Sequence, residues 1–157
     1  MNSLLLSTLG LVTVLGVTAA VPPLTPVTLA REVILAQNSP RPLAKELQGK
    51  PVVVDIYASW CPGCKNIAPT LSRLEQQYAG KANFIKLDVS DRKTTEAAEE
   101  KARKLGLSEF LKANKSQTSM VAIIDPATGE IIKQFRNNPN LKDYTMVIDG
   151  AISSMKK

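Results

Sequence analysis

The sequence predicts an α/β fold with a central mixed β-sheet flanked by helices. Three observations carry the prediction. Short β-branched runs alternate with stretches of helical periodicity. Two successive steps have a strand–helix–strand order. Two closing runs, joined by Asp125-Pro126-Ala127-Thr128-Gly129, read as a hairpin. At 157 residues, 44% hydrophobic and 22% charged, the chain has the size and composition of one folded domain.

The elements follow in order. Pro42 to Gln48 predicts a short helix with Leu43 and Leu47 on one side, closed by Gly49. Pro51 to Tyr57 is a β-branched run, expected as a strand buried on both faces. Pro62 to Ala79 carries Ile67, Leu71, Leu74 and Tyr78 at helical spacing and ends at Gly80. Ala82 to Val89 is the second strand. Asp91 to Leu105 is a charged helix, with Glu96, Glu99 and Glu100 early and Lys101, Arg103 and Lys104 late, an order that complements the helix dipole. Ser108 is the expected cap of a further short helix through Phe110 and Leu111. Met120 to Ile124 and Glu130 to Phe135 form the hairpin. Leu141 to Met155 closes the chain as an amphipathic helix, with Leu141, Tyr144, Ile148, Ile152 and Met155 on one stripe.

The N-terminus reads differently. No charged residue occurs from Met1 to Ala30, and Leu4 to Val21 is almost continuously apolar before Pro22 and Pro23. A second apolar patch runs from Leu29 to Ala36. Residues 1–36 are therefore expected to be a signal peptide or membrane anchor, 37–42 a linker and 43–157 the folded domain. The domain is expected outside the cytoplasm, in a periplasm or lumen. Against simple export, no Lys or Arg precedes the apolar run; the first is Arg31.

Composition excludes several chemistries. The chain has no histidine, which removes Ser-His-Asp and Cys-His nucleophiles and the usual zinc ligand set. Aromatic residues make up only 4%, and the basic residues behind the net charge of +6 are scattered rather than striped, so no nucleic-acid partner is expected. Asn114-Lys115-Ser116 formally matches a glycosylation sequon.

The chemistry lies in Trp60-Cys61-Pro62-Gly63-Cys64-Lys65. Two intervening residues let both sulfurs meet across the first turn of a helix. Unpaired N–H groups and the helix dipole would stabilise a Cys61 thiolate there, and Cys64, one turn in, would resolve a mixed disulfide. Pro62 suits the first turn because its missing N–H costs nothing there. With only two cysteines, the pair is half of a zinc site at most, and a bridge this short has a weak structural motive. The strand before and the helix after are the context of a redox motif.

Here the sequence resembles the thioredoxin family. Val52-Val53-Val54-Asp55-Ile56-Tyr57-Ala58-Ser59-Trp60-Cys61 is similar to that family's central strand and active-site approach, Lys65, Ala68 and Pro69 fall as in the family, and Phe84-Ile85-Lys86-Leu87-Asp88-Val89 resembles its next strand. The resemblance implies a thioredoxin-like fold and a thiol–disulfide oxidoreductase working through a redox-active Cys61–Cys64 disulfide with no added cofactor. It implies that Asp55 moves the Cys64 proton, with Lys86 nearby, and that Trp60 makes a flat apolar wall beside the sulfurs. Pro62, Gly63 and Ser119 complete the expected substrate surface, and Lys65 supports the pair. Disulfide-containing proteins are the expected substrates, and a membrane thiol donor the expected electron source. An apolar setting should also raise the Asp55 pKa, which suits proton transfer near neutrality.

Three departures from the family stand out. Ser119 occupies the place where thioredoxins usually carry a cis-proline, and the Ser119 peptide is expected to be trans. That loss leaves a second reading open, in which Cys61 and Cys64 hold a metal or iron–sulfur cluster, shared across a dimer. The dipeptide is Pro-Gly rather than Gly-Pro and lacks a histidine, which places the expected reduction potential between the reductase and oxidase extremes. Between Asp88 and Ser119 the chain is longer than in a minimal thioredoxin by about one helix, and Thr94 to Gln117, which fills the insertion, is read either as a lid or partner surface or as a solvated extra helix.

Overall fold

The computed structural model describes residues 41–156. The expected leader (1–36) and most of the linker (37–42) lie outside the described residues. Four strands form one sheet in the order β2-β1-β3-β4: β1 Val52–Tyr57, β2 Asn83–Asp88, β3 Met120–Ile124 and β4 Ile131–Arg136. The helices are α1 Pro62–Gln77, α2 Arg92–Leu105, α3 Ser108–Asn114 and α4 Leu141–Met155. Among the described residues, no helix is long and apolar enough to cross a membrane.

The β-branched run of β1 lies at the centre of the sheet, with Val52, Val53, Val54 and Ile56 fully or nearly fully buried. It pairs in parallel with β2 and antiparallel with β3, and β3 pairs antiparallel with β4. Side-chain alternation splits it between two layers. Val52, Val54 and Ile56 face Ala98, Ala102, Leu105, Leu107 and Leu111 from α2 and α3. Val53 faces Ile67, Leu74, Tyr144 and Ile148 from α1 and α4.

The strand directions give the mixed sheet that the sequence predicts. Only β1-α1-β2 is a parallel crossover; the second step ends in β3, antiparallel to β1. The reason is the additional helix. α2 carries the chain away from the C-terminal end of β2, and its Leu105 carbonyl accepts from the Ala44 N–H near the opposite end. α3 then brings the chain back, so β3 starts opposite Ile56. Neither the lid reading nor the solvated-helix reading of this segment fits, because α2 and α3 bury a row of alanines and leucines against the sheet.

Local signals explain most helix ends. Asp91 caps α2, accepting from the Thr94 N–H at 2.8 Å while the Thr94 hydroxyl accepts from the Asp91 N–H at 3.0 Å. Gly106 closes α2 at φ 79°, in the left-handed region. Ser108 is not a cap: Leu107 holds that position without a side-chain bond, and Ser108 is the first helical residue. The helix expected over 42–48 shrinks to a 3-10 turn, Lys45–Leu47, that still buries Leu43 and Leu47. Asn114 is buried and donates to the Phe110 carbonyl at 2.8 Å, so the sequon is not presented to a glycosyltransferase.

Two substitutions measure these contributions by urea denaturation. Leu107→Ala should cost about 2–5 kcal/mol, because Leu107 is fully packed between α2, α3 and the sheet. Asp91→Ala should cost only about 1 kcal/mol, the worth of a cap.

Candidate active site

The first residues of α1 meet the ends of β1 and β3. Cys61 is the N-cap of α1, and its own N–H donates to the Ala58 carbonyl at 3.1 Å. The Cys64 N–H donates to the Cys61 sulfur at 3.1 Å, so a sulfur fills the place that a Ser or Asp oxygen usually takes at a helix start. The Cys64 thiol points back toward the Ile56 carbonyl at 3.8 Å. Both cysteines are free thiols and buried, Cys61 at 4% exposure and Cys64 at 2%, while Pro62 and Trp60 beside them are exposed.

The two sulfurs are held in different states. Burial pushes the Cys61 thiol up, but hydrogen bonds from the Cys64 thiol, the Thr118 hydroxyl, the Cys64 N–H and the Ser119 hydroxyl outweigh it and bring Cys61 below an ordinary thiol. Burial first, and then the hydrogen bond to Cys61, push Cys64 up to about 11. One thiol is therefore shifted toward the thiolate and the other away from it.

Ser119 lies against this turn. Its peptide is trans, as expected, because the described residues contain no cis bond, but its φ is 63°. The Ser119 N–H donates to Ile56 and its carbonyl accepts from Asn137, whose φ of 45° is also left-handed. The two strained residues face each other across the start of the β3–β4 ladder. Gly63 is what lets them approach: a Cβ there would sit 2.7 Å from the Ser119 hydroxyl oxygen and 2.8 Å from its Cβ. The Asn137 side chain also accepts from Asn66 of α1 at 2.9 Å.

Trp60 is 61% exposed, so it is not core. Its indole N–H donates to the Ser90 carbonyl at 2.9 Å, and the Ser59 N–H donates to the Ser90 hydroxyl at 2.8 Å. Asp88 in turn accepts from both the Ser90 N–H and its hydroxyl. Lys65 is exposed, and its N–H bonds to the Cys61 carbonyl as part of the helix.

Asp55, on β1, sits behind the sulfurs. A cleft of about 160 Å3 connects it with Cys64 and opens between Glu75, Tyr57 and Lys86. That is polar and roomy enough to admit water. One Asp55 oxygen is buried with no hydrogen-bond partner. Burial raises its pKa to about 6, against the opposing pull of Lys86 and with help from Glu75 and Asp88. Lys86 lies beside Asp55, as the resemblance implies, but does not satisfy it. The two are paired in register, yet they form no ion pair, and the Lys86 ammonium rests over the Tyr57 ring, 4.9 Å from its centre.

Sequence reasoning missed Thr118, Ser90, Asp88, Asn137 and Tyr57 as parts of this site. Thr118 was the most accessible of these, being the neighbour of a residue already singled out. Asn137 gave no signal, because its role depends on the β3–β4 register. Among the described residues, no three His, Cys, Asp or Glu side chains cluster to hold a metal.

A dithiol with one activated and one shielded sulfur, heading the helix that follows the central strand of such a sheet, is the site of a thioredoxin-like thiol–disulfide exchange protein. The family model described as Thioredoxin matches residues 35–135, and the chain belongs to the thioredoxin family. The chloroplastic thioredoxin-like protein HCF164 of Arabidopsis thaliana is 44% identical over 52 residues, 33% of this chain and 20% of that one. The thiol:disulfide interchange protein TxlA homolog of Synechocystis is 43% identical over 53 residues, 33% of this chain and 29% of that one. The match thus spans less than a third of either relative. The structure of MTB DsbF in its mixed oxidized and reduced forms aligns with a TM-score of 0.50 at 20% identity, over 68% of this chain and 84% of that one, which shows a shared fold.

Two predictions follow from the geometry. Gly63→Ala should cost about 1–3 kcal/mol and raise the pH at which Cys61 is alkylated, by forcing Ser119 away. Adding Ser119→Gly, which removes the clash and suits φ 63°, should restore stability but not the alkylation profile. A Gly63→Ala protein as stable as wild type would contradict the packing described.

Asp55→Asn should stabilise the fold at pH 8 by on the order of 2–3 kcal/mol. The folded carboxyl keeps its proton up to about pH 6, whereas the unfolded one loses it near its ordinary value of 3.8. The folded state therefore binds more protons in that window, and stability falls as pH rises through it. The gain from asparagine should vanish by about pH 4, as read by denaturation midpoints across pH.

Proposed function

We propose that this protein is a thiol–disulfide oxidoreductase that reduces disulfides in protein substrates. It is placed outside the cytoplasm by residues 1–36, joined through 37–42 to the domain 43–157, and recharged by a membrane thiol donor. The observation that carries the reading is the split between an activated Cys61 and a shielded, protonated Cys64 beside an unpaired Asp55. The similarity to HCF164 and to the thiol:disulfide interchange protein TxlA homolog supports the chemistry.

The reaction runs in two exchanges. The Cys61 thiolate attacks one sulfur of the substrate disulfide; a mixed disulfide forms, and the other substrate sulfur leaves as a thiolate. Asp55 then accepts the Cys64 proton through the cleft. The Cys64 thiolate attacks the Cys61 sulfur, the Cys61–Cys64 disulfide forms, and the second substrate sulfur leaves. Two electrons have passed from the dithiol to the substrate, and protonated Asp55 returns its proton to water or to the departing thiolate. Trp60, Pro62, Gly63 and Ser119 form the surface on which the substrate lies. The redox group is the cysteine pair itself. Two sulfurs supply only half of a four-ligand set, and nothing in the site favours the metal or iron–sulfur reading over disulfide exchange.

Cys61→Ser should abolish disulfide reduction, and Cys64→Ser should accumulate mixed disulfides with substrate proteins. Turnover that survives Cys61→Ser would refute the proposal. The midpoint of the pair decides direction: a value near about −270 mV supports the reductase, and one near about −120 mV would replace it with a disulfide donor.

A further inference from the structure

Lys86 has two attractive neighbours on one face of the sheet. In parallel pairing, Asp55 and Tyr57 of β1 lie opposite Lys86 and Asp88 of β2. A cation so close to a buried carboxylate would ordinarily close on it, particularly when one carboxylate oxygen lacks any partner. It does not: the ammonium lies over the Tyr57 ring, at the mouth of the cleft that leads to Asp55 and Cys64. The ring face carries the negative end of the aromatic quadrupole and attracts the cation while leaving it in contact with water.

We propose that Tyr57 is a positioning residue that holds the Lys86 ammonium at the cleft mouth and off Asp55, leaving the carboxyl free to take and return the Cys64 proton. This deepens the oxidoreductase reading and rests on it. A carboxylate locked in an ion pair is a poor proton acceptor near neutrality, because the cation favours its charged form. Holding the lysine beyond ion-pair distance keeps a positive potential at the entrance without neutralising the acceptor. The other groups facing Asp55 do not replace this device. Glu75 of α1 and Asp88 of β2 are acidic and act in the opposite sense, Tyr144 of α4 is a neutral phenol, and β3 presents apolar Val121 in register with Asp55.

The test reads Asp55 directly in the full chain, by the carbon resonance of its carboxyl across pH. Tyr57→Leu keeps the apolar bulk and removes the ring; Lys86 should then fall onto Asp55 and lower its titration by about one pH unit or more. Tyr57→Phe keeps the ring and should titrate as wild type. Tyr57→Leu with Lys86→Met should move Asp55 above its wild-type titration. The acid limb of Cys64 resolution should move with the carboxyl in each variant. An Asp55 titration unchanged in Tyr57→Leu would overturn the proposal. So would a fall that persists after Lys86→Met, since the ring would then act without the lysine. The titration needs no substrate. A wild-type protein that exchanged no disulfide would instead overturn the oxidoreductase reading.

Discussion

The site is organised around one hydrogen bond, from the Cys64 N–H to the Cys61 sulfur. A helix start leaves backbone donors without partners, and α1 presents them to a sulfur rather than to an oxygen. That choice ties reactivity to folding. The sulfur that completes the helix cap is the one whose pKa is drawn down, so its reactivity depends on α1 being formed. The rest of the fold serves to hold α1 in that place. β1 delivers Cys61 to the cap position, α4 packs behind α1, and β3 brings Thr118 and Ser119 against the same sulfur.

The parts legible in the sequence were those written in consecutive residues. The β-branched run of β1, the helical spacing of α1 and α4, and the Cys-x-x-Cys pair each carry their own pattern, and the structure has the elements there. What could not be read depends on strands that meet only after folding. The direction of β3 follows from two helices rather than one spanning the second connection. The 63° φ of Ser119 follows from its double backbone tie to Ile56 and Asn137. The resemblance places Lys86 near Asp55, but neither it nor the register says which neighbour so long a side chain chooses.

Ser119 also shows how a family position can be filled by different chemistry. A proline offers no donor, whereas this serine contributes a hydroxyl to the Cys61 sulfur and a backbone N–H to Ile56. The left-handed backbone costs about 1–2 kcal/mol for a non-glycine residue. Gly63 makes the arrangement possible from the other side, since any side chain there would occupy the space of the Ser119 hydroxyl. The Pro-Gly order of the dipeptide and the serine opposite it are therefore one packing solution. A side chain at the second dipeptide position and a hydroxyl at position 119 exclude each other.

The same reasoning explains why the least stable feature of the core lies where it does. A buried carboxylate oxygen without a partner lowers stability at neutral pH, and a simple remedy, an ion pair with Lys86, is within reach of a lysine side chain. The fold leaves that remedy unused and places the lysine on Tyr57. A core selected for stability alone would close the pair or replace the aspartate with an apolar residue. An Asp55 kept charged with difficulty, and open to Cys64 through the cleft, fits the proposed transfer of the Cys64 proton. On that proposal the unsatisfied group and the shielded thiol are two halves of one requirement: Cys64 stays protonated while Cys61 attacks and loses its proton afterwards.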